Sequence, residues 1–259
     1  MTDSPDPLDK AHERARNFRD AFGGEADLST YQGIPIFAAP GLHELVARTM
    51  LDAVPPGNDV RVRVLELGAG GGALSQRLVD LGYALTASDL FVERFAPREH
   101  VPFHPLDLNG VFSTQLPERF DALVALELIE HLENPHHFMR ECFAMLRPGG
   151  TMVVSTPNLA NPVSQAMFVR EGVFQWYRDE DYREQGHISP IAPVVLRRCW
   201  TEAGFALQWE GSVSNAWRRV RKLRTAGTFA LASLIALASG TPRALRGEVY
   251  LALLRKPAS

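Results

Sequence analysis

The segment VLELGAGGGALS, residues 64–75, limits what this chain can fold into more than any other stretch. An apolar run ends in four glycines, Gly68, Gly70, Gly71 and Gly72, and helix formers resume at Ala73. Glycine reaches positive φ without a Cβ penalty and lets a ligand lie against main-chain N–H groups, so a turn this bare between a strand and a helix suits a bound molecule. Gly68, Gly70 and Ala73 satisfy the spacing G-x-G-x-x-G/A, a pattern that by itself chooses neither a ligand nor its absence.

The surrounding rhythm sets the architecture. Residues 61–67 alternate into a strand, 73–81 form a helix closed by Gly82, and 83–88 form a second strand, which makes a βαβ unit with parallel strands. Strands follow at 101–106 and 120–126, then a helix at 135–146, a turn at Arg147-Pro148-Gly149-Gly150 and a β-branched strand at 151–155. Helical patterns at 8–22 and 41–54 precede this series. A helix at 191–203 and strands at 205–209 and 248–254 close it, the last two expected as an antiparallel edge. The fold class expected is α/β, with a doubly wound, mostly parallel, seven-stranded sheet that binds ligands at the carboxyl ends of its strands. Residues 1–58 read as a helical N-terminal cap and 59–259 as the binding domain, with a lid at 157–190 and a helical insertion at 212–246.

Composition narrows the partners. A net charge of −3 gives no global attraction for nucleic acid, and 46% hydrophobic with 22% charged residues is the balance of a globular enzyme-like body. Cys142 and Cys199 lack C-x-x-C spacing and read as core thiols of a reducing compartment; without a secretory pattern at the start, a cytoplasmic location is expected. One stretch complicates that expectation. Residues 225–242 carry no charge, and RRVRKLR, residues 218–224, places five cations in seven positions just before it. A basic flank and an apolar helix suit an anchor on the surface of an anionic membrane, through 218–242, and equally suit a helix packed over the sheet.

Acids collect where the strands end: Glu66 within the first, then Asp89, Asp107 and Glu127. Around a pyrophosphate they would repel, except for one that binds a ribose diol, whereas a ligand carrying a sulfonium and an ammonium suits them. Asp89 lies about twenty residues beyond the glycines, the reach at which a carboxylate accepts both ribose hydroxyls.

VLELGAGGGALSQRL, LTASDL and FDALVALELIEHLENPHHFMRECFAMLRPGGTMVVSTPN, between about residues 60 and 158, resemble in order and spacing the motifs of class I S-adenosylmethionine-dependent methyltransferases. The resemblance is closest to the branch that includes the ubiquinone-biosynthesis O-methyltransferases. It implies S-adenosyl-L-methionine as cofactor, with Glu66, Gly68 and Gly70 at its methionine part, Asp89 at the ribose, Asp107 and Leu108 at the adenine, Glu127 with Leu128 on the cleft floor, and Leu90 as a further cofactor-binding residue. A nicotinamide oxidoreductase is the alternative, but no tyrosine stands four residues before Lys10, Lys222 or Lys256. A non-catalytic, membrane-associated binding protein with the same fold is a second.

Methyl transfer from a sulfonium requires mainly that the acceptor be held on the S–C axis, and a base helps when the acceptor is a hydroxyl. His131 follows the fourth strand by about one helical turn and is the first candidate for that base; the same position suits a residue that only orients the turn. Family members with a similar TPN…GH region cover the acceptor with it. That implies His187 as a second catalytic candidate and Asn158, Trp176 and Tyr177 as substrate-binding residues. No His/Cys/Asp cluster shows ligand spacing for a metal, and none is expected. The acceptor expected is a small molecule or a lipid-linked one, and oligomeric state is not legible.

Overall fold

The computed structural model describes residues 30–57, 61–217 and 225–258. The helix expected at 8–22 and the basic run 218–224 lie outside the described residues. A small antiparallel ribbon of β1 (Thr30–Tyr31) and β2 (Ile34–Pro35) opens the described chain, followed by helix α1 (Leu42–Ala53). Then come β3 (Arg63–Leu67), α2 (Ala73–Asp80), β4 (Ala84–Asp89), β5 (Phe103–Pro105), β6 (Phe120–Ala125), α3 (Pro135–Met145) and β7 (Leu146–Pro157). Helices α4 (Pro162–Glu171), α5 (Asp179–Gln185) and α6 (Pro193–Ala203), strand β8 (Ala206–Val213), helix α7 (Ala226–Ala238) and strand β9 (Val249–Arg255) complete it.

The seven-stranded sheet has the order β5-β4-β3-β6-β7-β9-β8. The first five strands run parallel and β9 runs antiparallel to both its neighbours. Chain order reverses between β3 and β6, so the glycine turn after β3 opens at the switch point, where such sheets bind ligands. The doubly wound, mostly parallel sheet expected from the sequence is the one found. Strands β8 and β9 pair antiparallel as expected, but β9 lies inside the sheet and of the two β8 alone is an edge strand.

Alternation along the central strands builds one core on each face. Leu65, Leu67, Leu123, Met152 and Val154 point toward α3 and α6, meeting Phe138, Cys142, Cys199 and Trp200. Val64, Ala122, Val124 and Val153 point the other way, toward Leu42, Val46 and Met50 of α1 and Leu74 and Leu78 of α2. Both cysteines are free and buried, as the spacing predicted.

One expectation needs correction and one stays open. The Arg147–Gly150 turn is absorbed into β7, because Gly149 at φ +75° and a register shift opposite Phe120 and Ala122 let the strand continue, while Gly149 N–H and Gly150 C=O pair with the C-terminal residues Pro257 and Lys256. The uncharged segment does not choose between its two readings. One side of α7 packs on α4 in a third small core of Val163, Ala166, Ala216 and Ala232, and Arg170 reaches Thr228. Its other side leaves Phe229, Leu234 and Leu237 exposed. Among the described residues no helix is long and apolar enough to cross a membrane.

Candidate active site

The glycine turn is shaped by what each missing Cβ would meet. Gly68, Gly70 and Gly72 all have positive φ, of +75°, +52° and +87°. A Cβ on Gly68 would come within 2.9 Å of the Leu128 side chain, and one on Gly72 within 2.4 Å of Pro97. A Cβ on Gly70 meets nothing within 4 Å, so its backbone borders open space. The turn is fastened to β4: Gly68 and Ala69 donate to the Ser88 carbonyl, and Gly70 N–H donates to Asp89 Oδ2 at 2.8 Å.

Asp89 also accepts from Leu90 N–H at 2.7 Å, and its carboxylate remains on the rim with the exposed Leu90. Glu66 is buried on the neighbouring strand, where it accepts from Ser75 Oγ at 2.5 Å. Burial, reinforced by the Asp89 charge and opposed by the Ser75 hydrogen bond, pushes its carboxyl up to about 8. Asp107 accepts from Asn109 N–H within its own turn, and the Leu108 side chain is part of the core.

At the end of β6 the chain enters the left-handed region at Glu127, φ +47°. That kink exchanges two hydrogen bonds with Ser155 of β7: Glu127 N–H donates to Ser155 Oγ, and Ser155 Oγ donates to Glu127 Oε1, both at 3.0 Å. Burial, with Glu248 nearby, pushes the Glu127 carboxyl up to about 8. Glu130, three residues on, is fully buried; Thr156 Oγ1 donates to its Oε2, its Oε1 has no hydrogen-bond partner, and burial followed by the Glu127 charge raises its carboxyl well above the usual range.

His131 and His187 meet here across the lid. Their rings lie 4.9 Å apart, edge to face, although 56 positions separate them in the chain. His131 Nδ1 is 3.0 Å from the Gly186 carbonyl and His187 Nδ1 is 2.7 Å from the Trp176 carbonyl. A carbonyl only accepts, so each Nδ1 carries a proton, and the tautomer this selects has its lone pair on Nε2. Burial lowers the His187 imidazole below its ordinary value, opposed by the Trp176 hydrogen bond and aided by the neighbouring His131. Ile188 and Ser189 N–H donate to the Glu130 carbonyl and Ser189 Oγ to that of Leu132, which stitches the lid onto this turn.

One donor atom each from Glu130, His131 and His187 lie within 4.8 Å of one another. No metal-ligand cluster was expected from the sequence; the structure forms one because chain folding, not spacing, brings His187 to the other two. The set can hold a proton or a divalent cation. The Tyr177 ring lies 5.6 Å from that of His187, tilted by 48°, and its hydroxyl donates to the Ser189 carbonyl, while Trp176 takes the left-handed conformation at φ +71°.

Asn158 is held by the chain itself. Its amide donates to the Leu245 and Gly247 carbonyls at 2.8 Å and its oxygen accepts from Ala160 N–H, so it straps the lid to the segment before β9. Ser155, Thr156, Glu130 and Glu248 were not singled out. Glu248 accepts from Gln175 and Ser214 while sitting close enough to raise Glu127, a contact between distant parts of the chain that no local pattern reveals.

A seven-stranded sheet with one antiparallel strand, a glycine turn at the switch point and an acid-lined cleft define a Rossmann-like methyltransferase architecture. Residues 37–209 match the family described as a methyltransferase domain. A ubiquinone biosynthesis O-methyltransferase of Rhizobium rhizogenes is 31% identical over 122 residues, 44% of this chain and 49% of that protein. One of Xanthomonas campestris pv. campestris is 36% identical over 104 residues, 37% of this chain and 43% of that protein. The matches thus span about half the length of these curated relatives, or less. A SAM dependent methyltransferase from Archaeoglobus fulgidus shares the fold with a TM-score of 0.57 at 18% identity, covering 83% of this chain and 94% of that one. The chain belongs to the S-adenosylmethionine-dependent methyltransferase family.

Proposed function

We propose that the chain methylates a hydroxyl of a small or lipid-linked acceptor, with His131 as the base. When bound, S-adenosylmethionine supplies a methyl group already activated by its sulfonium, so that the acceptor oxygen forms the new bond as the S–C bond breaks and S-adenosylhomocysteine leaves. The residues fit that cofactor: Gly70 presents bare backbone to open space, Asp89 offers a carboxylate to a diol, and Glu66 and Glu127, held protonated by burial in the empty site, would lose their protons to a bound cation. Gly68, Leu90, Asp107, the Leu108 backbone and Leu128 complete the proposed contacts.

The observation that carries the base assignment is the fixed tautomer of His131. The Gly186 carbonyl holds the proton on Nδ1 and leaves Nε2 free to take the acceptor proton. His187, Trp176 and Tyr177 would form the acceptor wall. The outward face of α7, together with the basic run before it, would bring this wall to an anionic membrane when the acceptor is lipid-linked.

Calorimetric titration with S-adenosylmethionine, S-adenosylhomocysteine and NADH tests the cofactor; binding of the first two alone is expected, and NADH binding in their place would return the oxidoreductase to the front. Transfer of labelled methyl from the cofactor into lipid extracts then tests turnover. His131→Gln should lower kcat at least about a hundredfold and remove the limb of the pH profile due to this group, the usual scale for a general base. Full turnover by that variant would sink the base reading, whereas loss of turnover on chelation with EDTA would replace it by one in which Glu130, His131 and His187 hold a metal.

A further inference from the structure

A second cavity, of about 490 Å³, lies at the opposite end of the sheet from the glycine turn. Its walls include Arg61 and Arg63 beside the start of β3, His100 and His104 flanking the start of β5, and Leu116 to Glu118 ahead of β6. The strand pairing explains why it is open. Ala87 of β4 pairs with Phe103, and Ala87 N–H donates to the Pro102 carbonyl, but the next step of the ladder would need an N–H from Pro102, which has none. Pairing therefore stops, and residues 84–86 of β4 border a notch instead of a neighbouring strand.

The lining is cationic on one side and apolar on the other. Arg61 and Arg63, two apart on an extended chain, face the same way. Arg63 forms an ion pair with Glu118, and Arg61 has no hydrogen-bond or ion-pair partner among the described residues. His104 likewise has none, while His100 bonds Gln76 at the rim. Val79, Leu116 and Phe120 supply the apolar wall. The side chain of Glu118 is half exposed, on a segment without regular structure, so its carboxylate occupies the place beside Arg63 that an external anion would take.

We infer that this notch binds a small organic phosphate, its anionic group between Arg61 and Arg63 and its apolar part against Leu116 and Phe120, with Glu118 as an internal competitor for Arg63. Guanidinium groups match phosphate oxygens in geometry and charge, and a cavity of this volume lies within the range of small-molecule sites. Along β3 the rise from Arg63 to Leu67 places the notch roughly 13 Å from the glycine turn, so it can be occupied while the cofactor cleft is full. The inference does not depend on the acceptor or on the base.

The test is calorimetric titration of the full chain, saturated with S-adenosylhomocysteine, with phenyl phosphate and, in parallel, inorganic phosphate. Saturable binding of phenyl phosphate, tighter than inorganic phosphate, is expected. Arg61→Gln should weaken it about fivefold or more, the effect of about 1 kcal/mol. Glu118→Gln should tighten it by a similar factor, and because Glu118 is exposed this variant keeps the test decisive if an arginine variant fails to fold. Absence of saturable phenyl phosphate binding, or affinities unchanged by both substitutions, would overturn the site.

Discussion

Three glycines within five positions do three different things, and substitution should separate them. All three carry positive φ, so alanine at any of them costs about 1–2 kcal/mol in backbone strain. At Gly72 the added methyl also meets Pro97 and Phe95, and at Gly68 it meets Leu128, so both variants should lose thermal stability. At Gly70 it enters open space, where the proposed function puts the cofactor. Gly70→Ala should therefore weaken S-adenosylmethionine binding by more than its loss of stability explains, as calorimetry and a melting curve together would show. Asp89 holds the Gly70 N–H and, in the site proposed above, faces the ribose. Asp89→Asn removes the charge and replaces one acceptor oxygen by a donor; an affinity loss of about tenfold or more is expected, the usual value of a charged hydrogen bond. Unchanged affinity in that variant would remove Asp89 from the ribose site.

At the level of elements, period-two alternation and glycine stops placed β3, α2, β4, β6 and α3 to within two residues, because each carries its own pattern and buries a face the pattern dictates. Elements decided by neighbours were less legible. The start of β7 was hidden behind a Pro-Gly-Gly that reads as a turn, and β8 extends to Val213 because β9 offers a partner along its whole length. The two-sided character of α7 was hidden because an all-apolar sequence carries no stripe to show which side is covered. Its exposed side, with Leu237 at 85% and Leu234 at 63% exposure, can be altered without touching the small core it shares with α4. Leu234→Ser with Leu237→Ser should leave the melting temperature within about 2 °C, since exposed substitutions change stability little. If α7 meets membrane, the same pair lowers sedimentation with vesicles of anionic phospholipid. Equal sedimentation of variant and wild type would leave this face without a lipid role.

Across the whole molecule, the sequence showed the acids of the cleft at strand ends but not how deeply folding would bury them, and burial is what sets their charge. Nor could it show that His43, on α1, would be enclosed beside Arg77. Desolvation, aided by the Arg77 charge, lowers that imidazole to about 3, whereas Glu66 is pushed up to about 8. The two bend the stability curve in opposite senses. Between pH 3 and 6.5 the unfolded chain protonates His43 and the folded one does not, so this residue makes stability rise with pH until it is complete near 6.5. From about 4.5 to 8 the folded chain keeps the Glu66 proton that the unfolded chain has lost, so stability from this group falls as pH rises and levels off above 8. Only the second effect acts between 6.5 and 8, with a slope of about 1.4 kcal/mol per pH unit for one group, and Glu127 adds a slope of the same sign. Urea unfolding of the cofactor-free protein should thus show stability declining over that interval, and Glu66→Gln should decline less steeply by about that slope. Because a bound cation favours the ionised carboxylate, S-adenosylmethionine binding at pH 7 should release protons, seen as a binding heat that varies with the ionisation enthalpy of the buffer. A wild-type stability that is flat from pH 6.5 to 8, matched by the variant, would show that Glu66 is already ionised in the empty cleft and that its proton plays no part in cofactor binding.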